Sequence, residues 1–210
     1  MNSKLNLILE LLVLRMNEFG LYVGLGKDHI LDYLNGYDHI LFVMALCAVY
    51  LLQDWKRVLI LVTAFTVGHS VTLALATFDV IRVNSDWIEF LIPVTIFLTA
   101  CSNIFRKEDR FPEGKIQINY GLAMFFGLIH GMGFSNYLQA ILGQSEGITL
   151  PLFAFNVGLE FGQIVIVVLF LSTCFIFVDL FGVSRRDWKI VISSAIAGIS
   201  LVLMKDTAFW

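Results

Sequence analysis

An all-α, polytopic transmembrane helix bundle is the fold class this chain predicts, and three observations carry the prediction. Hydrophobic residues make up 58% of its 210 positions, and the mean hydropathy is +0.82. Charged residues make up 15%, where a soluble domain carries about a quarter. The apolar residues also fall into runs close to the roughly 20 residues a bilayer core needs, with the charges bunched between them. One transmembrane domain, 1-210, accounts for the whole pattern.

The N-terminal run Leu5 to Leu14 is only about ten residues long, carries Glu10 and is closed by Arg15. It is short for a span, and no small-residue cleavage site follows it, as a signal peptide requires. Residues 1-27 therefore read as an interfacial helix or one packed on the bundle, with Gly20-x-x-x-Gly24 as a weak close-contact motif. Six spans follow, at about 28-53, 58-78, 87-105, 118-142, 150-181 and 188-204; counting the N-terminal helix would make seven. The turn signal Asn35-Gly36 falls inside the first span and predicts a break there, directly before Asp38 and His39. Trp55, Trp87 and Trp188 stand at span edges, where amphipathic rings are favoured.

Loop charges give the orientation. Lys56, Arg57, Arg106, Lys107, Arg110, Lys115, Arg185, Arg186 and Lys189 fall on one side, and Lys4, Arg15, Lys27, Arg82 and Lys205 on the other. The positive-inside rule then places both termini outside, in what would be a bacterial inner membrane. The formal net charge of −3 is too small and scattered for a nucleic-acid partner. Cys47, Cys101 and Cys174 are widely separated in apolar runs, without the spacing of a zinc ribbon or a disulfide framework. The expected partners are the lipid bilayer and a small ligand; the sequence leaves a homo-oligomer open.

Polar residues inside spans are costly and mark function, so their depth matters. Counted from the start of its span, His39 lies about twelve residues in, His69 twelve, His130 thirteen and Glu160 eleven, all near the midplane. Thr66, His69 and Thr72 repeat at three-residue spacing, and Asn156, Glu160 and Gln163 at i, i+4 and i+7, so each set forms one helix stripe. Gly127, Gly131 and Gly133 around His130, and Gly158 and Gly162 around Glu160, would let a neighbouring helix approach closely. Imidazoles with carboxylates make a borderline nitrogen and oxygen site, suited to a divalent transition metal such as Ni, Zn, Co or Fe rather than Mg or Ca. The expected metal residues are Asp38, His39, His69, His130 and Glu160, with His29 at the mouth and Gln163 and Asn156 as hydrogen-bonding support. Glu160 is expected to face the histidines and offset the charge of the ion.

Four ordered motifs also carry a resemblance: Gly36-Tyr37-Asp38-His39-Ile40-Leu41-Phe42 after His29, Ala64-Phe65-Thr66-Val67-Gly68-His69-Ser70, Phe126-Gly127-Leu128-Ile129-His130-Gly131-Met132-Gly133, and Phe155-Asn156-Val157-Gly158-Leu159-Glu160-Phe161-Gly162-Gln163. Together they resemble the HupE/UreJ family of hydrogenase and urease accessory membrane proteins. The resemblance covers residues 29 to 163 and implies a permease for nickel or a related divalent metal, with Asp38, His39 and His130 at the metal site. The match is not uniform. Eight residues separate His29 from Asp38, where nickel permeases of the family place a His five residues ahead. Phe126 and Gly133 stand where their fourth span carries a His and a Glu.

Two other functions fit intramembrane histidines. One is a zinc hydrolase in which an acid acts as base, although no His-x-x-x-His or His-Glu-x-x-His pair is present. The other is a haem b protein ligated by His residues from different spans. A transporter rather than an enzyme is the expectation.

Overall fold

The computed structural model describes residues 2–34, 36–106, 113–142 and 147–210. The order is α1 (Asn2–Leu31), α2 (Tyr37–Cys47), α3 (Trp55–Thr77), α4 (Ser85–Phe105), α5 (Glu113–Gly133), α6 (Ser135–Leu142), α7 (Thr149–Phe175) and α8 (Arg185–Asp206). A single 3-10 turn, Leu52–Asp54, leads into α3, and a π turn, Ile176–Leu180, prolongs α7. No strand occurs among the described residues. Four stretches there are long and apolar enough to cross a membrane, namely Leu52–Thr77, Ser85–Phe105, Thr149–Leu180 and Arg185–Asp206.

Helix ends follow local chemistry. Asn84 accepts from the Asp86 N–H at 2.8 Å, and Ser184 accepts from the Asp187 N–H at 3.0 Å. Each side chain satisfies a first-turn donor that has no partner within its helix. At the other end of α3, Asp79 takes φ 59°. The Val80 and Asp79 N–H groups then bond to the Leu75 and Ala76 carbonyls at 2.9 and 3.0 Å, which is a Schellman stop.

Packing is organised by two glycine-lined helix pairs. A Cβ on Gly68 would overlap the Met124 carbonyl, and one on Gly127 the Phe65 carbonyl. A Cβ on Gly26 would overlap the Phe155 carbonyl, and one on Gly158 the Val23 carbonyl. Backbones thus touch directly along α3–α5 and α1–α7, which only small residues permit. Contact positions rise together in both pairs, from Val23 with Gly158 to Ile30 with Gly162, and from Phe65 with Gly127 to His69 with Gly131. Both pairs are therefore parallel. α4 and α8 run antiparallel, joined at one end by Trp87 against Phe209, 4.7 Å between ring centroids. At the other end, the Lys189 ammonium donates to the Arg106 carbonyl at 2.7 Å.

Several segments differ from the sequence expectation. α1 is one continuous helix, so Lys27 and Asp28 lie in its interior and no boundary falls between residues 27 and 28. Its second half packs along α7, because Gly26 meets Phe155 there. Gly20 and Gly24, in contrast, have nothing within contact of a Cβ. Helical structure stops at Leu31 and resumes at Tyr37; Gly36 caps α2, and Asn35 lies outside the described residues. The stretch expected as one helix over 118-142 is divided at Phe134 into α5 and the short α6. Lys107 and Arg110 of the basic loop also lie outside the described residues.

Candidate metal centre

The gap between α1 and α2 brings two histidines face to face. His29 stands in the last turn of α1 and His39 in the first turn of α2, and their ring centroids are 4.6 Å apart. The middle of α3 supplies His69, whose ring is 6.0 Å from each of the other two. One ring nitrogen from each of these three residues lies within 4.8 Å of the others. No other such group of His, Cys, Asp or Glu occurs among the described residues. Three helices therefore aim three imidazoles at one point.

Their hydrogen bonding explains why that point can hold a cation. Asp38 Oδ1 accepts from the His39 backbone N–H at 2.8 Å, which would otherwise be an orphan of the first turn of α2. The same oxygen is 3.0 Å from His39 Nδ1. A carboxylate only accepts, so it draws the ring proton to Nδ1 and leaves Nε2 as a lone pair. His39 Nε2, His29 Nε2 and both nitrogens of His69 are buried without a protein partner. A buried polar atom left unpaired costs about 1–3 kcal/mol, so several at one point are explained by a ligand that satisfies them together.

Aromatic rings enclose the cluster. Phe134, the residue at the α5–α6 division, lies 3.9 Å from the His29 ring and stacks on Phe155 at 5.0 Å. At the other side, Phe42 and Phe65 are fully buried and 4.9 Å apart. A pocket of about 510 Å³ bounded by Ala76, Thr77, Asp79 and Arg82 reaches Met132 and Ser135, on either side of Phe134. Towards the basic loops, a cavity of about 200 Å³ is lined by Tyr50, Asn103, Arg106, Asn119 and Phe126. Phe126 is in turn 6.0 Å from Phe42.

The remaining expected residues are placed differently. His130 is fully buried with its ring 5.2 Å from that of His39, yet it is outside the set of three. Its Nε2 is 3.0 Å from Thr95 Oγ1. Asp38 orients His39 and does not join the set itself. Glu160, expected to face the histidines, accepts from the Thr63 hydroxyl at 2.6 Å through Oε1, and its Oε2 is buried without a protein partner. Thr63 is six residues before His69, about 9 Å along α3. Gln163 accepts from Thr66 at 2.9 Å, and Asn156 donates to the Leu152 carbonyl of its own helix at 2.9 Å. The Glu160 and Gln163 bonds knit α7 to α3, while Gln163 Nε2 and Asn156 Oδ1, like Glu160 Oε2, are buried without a protein partner. Sequence reasoning passed over Phe134, Phe155 and Thr95. Thr95, about nine residues into an apolar span, could have been found by the same depth count that found the histidines.

The family model described as HupE / UreJ protein matches residues 8–209, nearly the whole chain. No curated protein and no solved structure matches it.

Proposed function

The chain belongs to the HupE/UreJ family, and we propose that it is a membrane permease whose cargo, a divalent transition metal ion such as nickel, zinc or cobalt, is held in transit by His29, His39 and His69. The convergence of three imidazoles from three helices, each with a buried ring nitrogen that has no protein partner, carries this reading. Nitrogen donors suit these borderline metals and disfavour Mg and Ca. Three protein ligands leave a coordination position open, as in zinc sites that exchange water or substrate and unlike closed four-ligand structural sites. An open position suits an ion that must arrive and depart.

In this reading the first span is discontinuous. The second half of α1 enters beside α7, the chain breaks at mid-depth, and α2 continues to the basic side. Irregular backbone at that depth is tolerated where it lines a path or is buried in protein. With α3, α4, α5, α7 and α8 this makes six spans, with both termini outside and the basic loops inside. Asp38 holds the tautomer of His39. His130 and the α3–α7 stripe lie alongside the ion, the stripe holding the helices in register. The hydrolase alternative has no His-x-x-x-His or His-Glu-x-x-His pair behind it, and Asp38 is engaged with His39. A haem plane would have to displace Phe134 from His29.

The test is equilibrium binding of Ni²⁺ and Co²⁺ to detergent-purified protein, with uptake into vesicles that carry it. One ion per chain, lost together with uptake in His29→Ala, His39→Ala and His69→Ala, is expected. Binding and uptake that persist in all three variants would overturn the reading.

A further inference from the structure

We propose that Thr95 on α4 holds His130 as a second, inner station for the ion, which leaves the set of three through His39. The proposal rests on the permease reading and adds an order of steps and a residue from a helix that reading does not use.

The Thr95 side chain donates its single proton to the Ile92 carbonyl at 2.7 Å, so towards His130 Nε2, 3.0 Å away, its oxygen can only accept. His130 therefore carries its proton on Nε2. Its Nδ1 is a bare lone pair, fully buried and without a protein partner. Asp38 does the same at the opposite nitrogen of His39, leaving Nε2 bare. Two fixed tautomers thus present two lone pairs from adjacent rings, 5.2 Å apart and inclined at 82°.

The rings also have an order. His29 packs on Phe134 and Phe155, whereas His130 packs on Phe42 and Phe65. His39 lies between them, 4.6 Å from one ring and 5.2 Å from the other. Phe42 lies one turn after His39 along α2, in the direction of the basic loops and the cavity behind Phe126. An ion released by His29 while still held by His39 meets His130 next. Thr95 is then a positioning residue that acts through His130.

Thr95→Val removes the acceptor at nearly constant volume, and Thr95→Ser keeps it. Three measurements on each variant separate the possibilities: imidazole ¹⁵N spectra without metal, equilibrium Co²⁺ binding, and Co²⁺ uptake into vesicles containing the protein. In Thr95→Val the His130 ring should lose its fixed Nε2–H form and uptake should fall about tenfold, the scale of losses at groups that orient metal-binding histidines. Co²⁺ affinity at the set of three should stay near native, and Thr95→Ser should behave as native throughout. Native uptake in Thr95→Val, a loss of binding equal to the loss of uptake, or a serine variant as impaired as the valine would each overturn the proposal. A native chain that binds no Co²⁺ contradicts the permease reading itself. A native His130 ring protonated on Nδ1 contradicts the Thr95 assignment alone, because that readout needs no metal.

Discussion

The histidine cluster and the α3–α7 stripe both place polar side chains inside apolar helices and use them differently. In the cluster, ring nitrogens converge with no protein partner. In the stripe, Thr63 bonds to Glu160 and Thr66 to Gln163 across the helix interface. Both stripes were visible as polar residues in apolar spans, and depth alone ranks them equally. The difference comes from lateral placement. Direct backbone contact at Gly26 and Gly158 sets α1 on α7, and at Gly68 and Gly127 sets α3 on α5. That leaves the His69 ring facing the gap between α1 and α2, while Glu160 is received by Thr63. The stripe's hydrogen bonds join α7 to α3, although Glu160 Oε2, Gln163 Nε2 and Asn156 Oδ1 remain unpartnered. Among the described residues, only in the cluster do ring nitrogens from three helices converge into a set that could hold a cation.

The sharpest way to break this comparison is to remove one ligand. His69→Ala should weaken metal binding more than a hundredfold, since structural zinc sites bind with about 10–16 kcal/mol and one of a few ligands carries roughly 3 kcal/mol of it. Isothermal titration of the purified variant checks this. Acid should act in the same direction on the native protein. A protonated imidazole cannot be a ligand, so affinity should fall as the medium is acidified, measured as metal released against pH. Asp38→Asn keeps the shape and removes the charge behind His39. About a tenfold loss of affinity is expected, and an unchanged affinity would mean that Asp38 does not set the His39 tautomer. The smallest effect belongs to the stripe: Glu160→Gln retains an acceptor for Thr63, and metal affinity should move by about twofold or less, since a group outside the ligand set acts on the ion only indirectly. A loss as large as that of His69→Ala would erase the contrast between the two regions.

Much of the helical pattern was legible in the sequence because hydropathy and length govern which segments can cross a bilayer. The interruption before Asp38 was legible too, from Asn35-Gly36. Depth counts selected His39 and His69, and His29 was visible only as a residue at the mouth. It enters the set of three because α1 runs unbroken to Leu31, and hydropathy did not show that continuity across Lys27 and Asp28. Glu160 was selected by depth and charge balance, whereas its Thr63 partner was not legible. Which face of α7 meets which face of α3 depends on helix rotation and pairing, information carried by contacts between distant residues and not by a local pattern. Phe134 was hidden for a related reason: an aromatic in an apolar run does not announce a helix break, and its place over His29 exists only once α5 and α1 are brought together.

X-ray absorption at the zinc edge of the Zn²⁺-loaded protein tests the central claim most directly. The account predicts three imidazole nitrogens at about 2.0–2.1 Å, one of which disappears in His29→Ala. A bound ion surrounded by oxygen alone, or an imidazole signal that His29→Ala leaves unchanged, would contradict it.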